Sequence, residues 1–350
     1  MRGEFTPNEK AVFYGLTCYP YFNDRELAER IGINLSTVTA IRQRLRKNGY
    51  FRTIRVPMLQ NFGCELLSIL YTNFNPVIPL QERIKITEEN IEVSEELFFS
   101  LGELEKGFSL SLSKDYTTIS KINDIRTMTF GKLGLLEREN PREIIFPFEI
   151  SKIYRFFDFS PLLASTFGLE GKDEKKLYFE KKENYSLSLN EKIIFCALVE
   201  YPEMTDKGIG EITGVSRHTV SRTRRKFEEN GFICPLRIPD IKKLGFEILA
   251  FYHILFDPRN APNFSKDEAR QLMNEKTVFF ACRQFEAVII SIYENYEGYK
   301  IDKMEKMQFL KEKKWIAENP LIRTYSLNKS VIIKDFTFAP ITKKILECPA

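Results

Sequence analysis

The chain of 350 residues has only two histidines and one tryptophan, and its six cysteines (Cys18, Cys64, Cys196, Cys234, Cys282, Cys348) show no paired spacing. So few imidazoles leave little material for histidine-based acid–base chemistry. The scattered cysteines, mostly within apolar runs, read as reduced core residues rather than a disulfide framework or a zinc site. There is no phosphate-cradling glycine-rich loop, no His/carboxylate metal spacing and no nucleophile elbow. No catalytic residue, no cofactor and no metal are therefore expected, and the chain is expected not to be an enzyme. The opening MRGEFTPNEK lacks the apolar core of a signal peptide, and no apolar run is long enough to span a bilayer. A cytoplasmic protein without membrane contact is expected. The net charge is only +4, which excludes indiscriminate polycationic binding. Any affinity for nucleic acid must come from local clusters.

What is present is ample apolar material, 43% of residues including 30 Phe, enough for a large core spread over roughly two to three domains. An internal duplication organises it. Asn8-Glu9-Lys10 returns as Asn190-Glu191-Lys192, and the same interval separates Tyr19-Pro20 from Tyr201-Pro202, Gly32 from Gly214, Pro57 from Pro239 and Gly63 from Gly245. Later anchors drift by a few residues: Phe98-Phe99 answers Phe279-Phe280, Tyr116 answers Tyr296, and FDFSPLL from Phe157 answers FTFAPIT from Phe336. Small loop changes account for the drift, so the repeat spans nearly the whole chain.

The stretch 34–48, NLSTVTAIRQRLRKN, and its counterpart 216–230, SRHTVSRTRRKFEEN, each predict a helix. Asn34 and Ser216 stand at cap positions, and Val38, Ile41 and Leu45 recur at helical spacing, as do Val220, Thr223 and Phe227. The opposite face then carries Ser36, Ala40, Gln43 and Lys47 in one copy and His218, Arg222 and Arg225 in the other. Before each lies a short helix (DRELAERI, DKGIGEIT) closed by Gly32 or Gly214, and before that a helix with capping-box spacing, Thr6 to Glu9 and Ser188 to Glu191. After each, Asn-Gly leads into a short extended run holding Arg55 or Arg237. Three helices and a wing make a winged helix-turn-helix, a unit that reads double-stranded DNA. Bases would be read by Ser36, Thr39, Gln43, His218, Ser221 and Arg222. Phosphates would be met by Arg42, Arg44, Arg46, Lys47, Arg55, Arg217, Arg224, Arg225, Lys226 and Arg237. The plainer alternative is a pair of ordinary helical hairpins with solvated basic faces.

Beyond each head, alternation and helical spacing predict strand, helix, strand, strand, helix, strand. In the first half these are 64–74, 79–90, 91–102, 108–114, 117–133 and a closing strand near 144–154. That order is the ferredoxin-like βαββαβ plan, and the second half repeats it. The expected class is α+β: residues 1–60 a winged head, 61–167 a ferredoxin-like domain, 168–187 a charged linker, 188–242 a second winged head and 243–350 a second ferredoxin-like domain.

The segments VSRHTVSRTRRKFEENGFI and RIPDIKKLGFEILAFYHI resemble the head and first strand of the Lrp/AsnC feast/famine regulators. The resemblance implies a transcriptional regulator whose sheet domains pair into dimers and bind small effectors at their interfaces. A homodimer and an effector of unknown identity are the partners it adds to DNA. The family's Ser-Thr-Val-Ser-Arg segment falls on His218, Thr219, Val220, Ser221 and Arg222, and on Ser36, Thr37, Val38, Thr39 and Ala40, so the heads should differ in sequence preference. The chain departs from the family in joining two heads covalently, which allows a pseudodimer on unlike half-sites. It departs again in the long segments after each sheet domain, whose aromatic residues read as packing. Two rival readings stand beside the regulator. One is an enzyme resembling the siroheme decarboxylases, which share this element order but carry a sheet-domain histidine motif that TVFFACRQFEAVIISIY lacks. The other is a DNA-architectural or transcription-machinery docking protein.

Overall fold

The computed structural model of the chain describes residues 5–91, 94–137, 139–171, 178–180, 185–264 and 266–348. The first half runs α1 (Pro7–Cys18), α2 (Asp24–Ile31), α3 (Leu35–Lys47), β1 (Phe51–Pro57), β2 (Leu66–Asn73), α4 (Leu80–Ile91), β3 (Leu97–Gly102), β4 (Lys106–Ser113), α5 (Tyr116–Lys132), β5 (Arg142–Pro147), β6 (Lys152–Phe156) and α6 (Ser160–Phe167). The second half repeats that order as α7 (Leu189–Glu200), α8 (Asp206–Thr213), α9 (Arg217–Glu229), β7 (Ile233–Pro239), β8 (Ile248–Leu255), α10 (Lys266–Leu272), β9 (Thr277–Arg283), β10 (Glu286–Tyr293), α11 (Tyr296–Glu312), β11 (Leu321–Ser326), β12 (Val331–Lys334) and α12 (Ala339–Leu346). The fold is α+β, two tandem repeats of a winged helix-turn-helix followed by a ferredoxin-like domain. Parts of the charged linker, residues 172–177 and 181–184, lie outside the described residues.

Local chemistry sets the helix starts. Thr6 and Glu9 exchange side chain for backbone across the first turn of α1, as Ser188 and Glu191 do for α7, so both capping boxes form. Ser216 accepts from the Thr219 amide at 3.2 Å. Asn34, expected to act likewise, stands at the N-cap of α3 but its side chain makes no capping bond. Gly32 and Gly214 close α2 and α8 at φ of 70° and 69°, where a Cβ would be strained.

The chain divides into two compact units that do not follow its two halves. Unit 1 comprises Met1–Ile54, Lys152–Tyr178 and Pro235–Asn328; unit 2 comprises Arg55–Ser151, Phe179–Cys234 and Lys329–Ala350. Unit 1 therefore joins the first head to the second sheet domain, and unit 2 the second head to the first sheet domain.

The unit 1 sheet has the order β11-β8-β10-β9-β6, all neighbours antiparallel. That of unit 2 is β12-β3-β4-β2-β5, likewise antiparallel. Four strands in each follow the ferredoxin-like arrangement; the fifth comes from the other half. Here the expectation of one closing strand near 144–154 is corrected, because that region forms two strands, β5 and β6. β5 pairs with β2, while β6 pairs with β9, covering what would otherwise be an open edge.

The aromatic segments after β6 and β12 are packing elements, as expected. In unit 1 the Phe157 ring lies 5.4 Å from Phe279, and Phe167 of α6 meets Phe13 of α1 at 5.9 Å. In unit 2 Phe336 and Phe338 lie 4.7 Å from Phe99 and Phe98 respectively, and Lys343 of α12 pairs with Glu200 of α7 at 2.7 Å. Phe157 and Phe336 both hold φ near +50°, a strained setting that their buried rings fix in place. Each trailing segment thus ties a sheet to a head. Among the described residues no helix is long and apolar enough to cross a membrane.

Candidate nucleic-acid interface

In the first head, α3 buries Val38, Ile41 and Leu45 against α1 and α2, whose Phe13, Leu16 and Leu27 complete a small core. Its outward face presents Ser36, Ala40, Gln43, Arg46 and Lys47, all exposed. In the second head, α9 buries Val220, Thr223 and Phe227 and exposes Arg217, His218, Arg222 and Arg225. His218, Ser221, Arg222, Arg225, Lys226 and Glu229 line a shallow depression along that face. Hydroxyl, amide, imidazole and guanidinium groups of this kind can address base edges, with the flanking cations on phosphate.

Not every expected contact residue is on that face. Thr39 Oγ1 donates to Asp24 Oδ2 at 2.7 Å, and Arg42 pairs with the other oxygen of Asp24 at 3.1 Å. The second head repeats this with a better fork: Arg224 holds Asp206 through Nε at 2.8 Å and Nη2 at 3.1 Å, and Ser221 bonds the same carboxylate. Burial would raise the Asp206 pKa, but Arg224 and Ser221 outweigh it and hold the carboxyl below its ordinary range. A second tie joins each recognition helix to the first helix of its head, Arg44 to Glu9 at 2.5 Å and Lys226 to Glu191 at 2.7 Å. The Lys226 hydrogen bond is the main reason that the Glu191 carboxyl sits below its usual value. Thr39, Arg42, Ser221 and Arg224 therefore orient the recognition helices, and Arg44 and Lys226 reach solvent with their charge partly spent.

Arg55 and Arg237, expected on phosphate, are turned inward and leave that set. Arg55 is largely buried in unit 2, donates to the Leu198 carbonyl at 3.4 Å and lies near Glu228 and Asp206; its burial pulls its pKa down. Arg237 donates to the Pro20 carbonyl at 3.0 Å in unit 1. The cause is the wing strand, which runs across to the other half. In unit 1 the Asp240 amide donates to the Tyr50 carbonyl, and in unit 2 the Met58 amide donates to Phe232, so neither wing closes as a hairpin within its own head. Lys243, unmarked in the sequence, caps the end of α3 by donating to the carbonyls of Asn48 and Gly49 at 2.9 and 3.2 Å. In the sequence Glu9 and Glu191 stand out only as capping-box partners, and Asp24 and Asp206 not at all. Their recurrence at equal spacing in both copies was the available signal.

The second histidine lies far from this face in sequence and role. His253, on β8, meets Glu286 at 2.8 Å, and Arg283 holds the same carboxylate at 2.6 Å. Burial would raise the Glu286 pKa, but these two partners keep it lowered.

Residues 188–237 match the homeodomain-like domain family, so the second head is a recognised helix-turn-helix. No curated protein matches the chain. Among solved structures the siroheme decarboxylase NirDL is similar over 98% of this chain and 99% of that one, with a TM-score of 0.53 and 10% identity. NirDL in complex with an iron-uroporphyrin III analogue is similar over 97% and 98%, with a TM-score of 0.50 and 11% identity. AsnC of E. coli covers 41% of this chain and 93% of its own, at a TM-score of 0.30 and 18% identity. At such identities the likeness to NirDL establishes a shared fold. It also corrects the expectation that this chain is not an enzyme: whole-chain likeness is to an enzyme, so the absence of familiar catalytic motifs does not exclude catalysis on this architecture.

Proposed function

We propose that this protein is a sequence-specific, DNA-binding transcriptional regulator of the cytoplasm, reading two unlike half-sites with two unlike heads. The observation that carries the reading is the sorting of charge on the two recognition helices. Cations that face the head are neutralised by Asp24, Asp206, Glu9 and Glu191, whereas Gln43 and Lys47 of α3 and His218, Arg222 and Arg225 of α9 remain exposed on one side. Ser36, Gln43, His218 and Arg222 address bases; Arg46, Lys47, Arg217 and Arg225 address phosphates. The Lrp/AsnC resemblance of the heads supports regulation, with a homodimer as its natural assembly. Selection from a random duplex library at near-physiological salt tests it. Enrichment of two different half-sites at fixed spacing is the expected result, and retention without an enriched motif would replace the regulator with an architectural role.

The whole-chain likeness to NirDL favours a second reading, an enzyme acting on a tetrapyrrole. Titration of the chain with iron-uroporphyrin III, followed by absorption of the macrocycle, separates the two. A saturable spectral change without any selected DNA motif would favour the enzyme.

A further inference from the structure

The duplication supplies an internal control for the sheet domains. In unit 1 the face of β8, β10 and β9 that meets α11 carries Tyr252, Phe280, Ile289 and Tyr293, all buried in one apolar cluster. By register, the corresponding positions in unit 2 are Leu70, Ser100, Ser109 and Ser113; the strand pairing thus aligns Phe99 with Phe279, one residue off the sequence match of Phe99 with Phe280. Ser68 and Ser111 face each other one pair further along the same face. Four large side chains have been replaced by one leucine and three serines, yet these serines remain buried.

The helix above has changed in step. Lys306 of α11 is only 5% exposed and has its counter-ion beside it, both oxygens of Asp302 lying at 2.6 Å. Arg126 takes the same place on α5, four residues before the buried Phe130 as Lys306 is before Leu310. It is 91% removed from solvent, since 9% remains exposed, and among the described residues no carboxylate lies within ion-pair distance. Its Nη2 donates to Ser109 Oγ at 3.3 Å, while Nε is buried without a partner. Asn123 Oδ1, one turn earlier on α5, is also buried without one; its Nδ2 is taken by Glu143, which also accepts from Ser68. An uncompensated guanidinium under a hydroxyl-lined sheet is costly to an empty fold and suits a bound anion.

We propose that the layer between α5 and the serine face of β2, β4 and β3 binds a small organic carboxylate, paired with Arg126 and hydrogen-bonded by the Ser109 hydroxyl. The site is independent of the DNA reading. It lies within one sheet domain, and its counterpart in the other half is closed by Tyr252, Phe280 and Tyr293.

Isothermal titration of the full chain with acetate, succinate and a panel of L-amino acids, with inorganic phosphate as the ionic control, tests the proposal. Saturable binding of at least one organic carboxylate is expected, weakened about tenfold or more in Arg126→Met. Ser109→Ile, which restores the residue used in the other half, should abolish binding while the chain stays folded. It keeps the test decisive if Arg126→Met does not fold. No binding across the panel, equal binding in both variants, or phosphate binding as well as every carboxylate would each overturn it.

Discussion

Arg222 and Arg225 lie one turn apart on α9, both exposed, and differ in what they should do. Arg222→Ala is expected to change which base is preferred, costing about 1–3 kcal/mol on the selected site and little elsewhere. Arg225→Ala should weaken all sequences alike and lower the salt slope by about one unit, both read from binding isotherms at several salt concentrations. Asp206 is the residue on which the orientation of α9 depends. With Arg224 only 27% exposed, Asp206→Ala should cost about 1–2 kcal/mol, seen as faster amide exchange along α9. Asp24→Ala should cost less, because Arg42 is 39% exposed and better screened. Acid should loosen the same ties. Glu191 and Asp206 titrate below their ordinary values of 4.5 and 3.8, so their contribution is complete above those values and is lost as pH falls through the depressed ones. The protection factors of the α9 amides, which compare each exchange rate with its intrinsic value at the same pH, should therefore fall below about pH 4.5 and stay level between pH 6 and 8. At this scale the sequence showed which side of α3 and α9 is exposed but not how the side chains along its flanks are engaged. Helical spacing places Thr39 and Ser221 on the flank, where either a base or a carboxylate could take the hydroxyl. The deciding partners, Asp24 and Asp206, belong to a different helix.

Elements were legible where the signal is local. Alternation in FSLSLSK and capping-box spacing at Thr6 and Ser188 gave a strand and two helix starts that the structure contains. The partner of a strand is not local. Period-two alternation marks Lys152–Phe156 as extended but carries nothing to say that it lies against β9, more than a hundred residues away. Nor could the inward turn of Arg55 be read, since it follows from where the wing strand goes. The trailing aromatic segments are the elements to test. Phe338 is 2% exposed and stacks on Phe98 at 4.7 Å, so Phe338→Ala should cost about 3–5 kcal/mol, measured as the shift in urea midpoint followed by circular dichroism.

For the molecule as a whole, duplication was visible in the spacing of Gly32 and Gly214, while the interleaving of the halves was not. Identical repeats can pair within themselves or with each other through the same contacts, and the sequence pattern is the same either way. Because unit 1 needs residues 152–178 and 235–328 around the first head, residues 1–167 expressed alone should not yield a discrete folded species by size-exclusion chromatography. Co-expression with residues 188–350 should restore one. The fifth strand of each sheet carries a further consequence, for synthesis. A nascent chain leaving the ribosome at about 5–20 residues per second usually folds its domains one after another. This one cannot: with residues 1–300 already made, unit 2 still lacks β12 and the Phe336–Phe338 contacts that cover Phe98 and Phe99. Translation halted at residue 328 would leave an open sheet edge and bare phenylalanines, a signature that protein quality control removes.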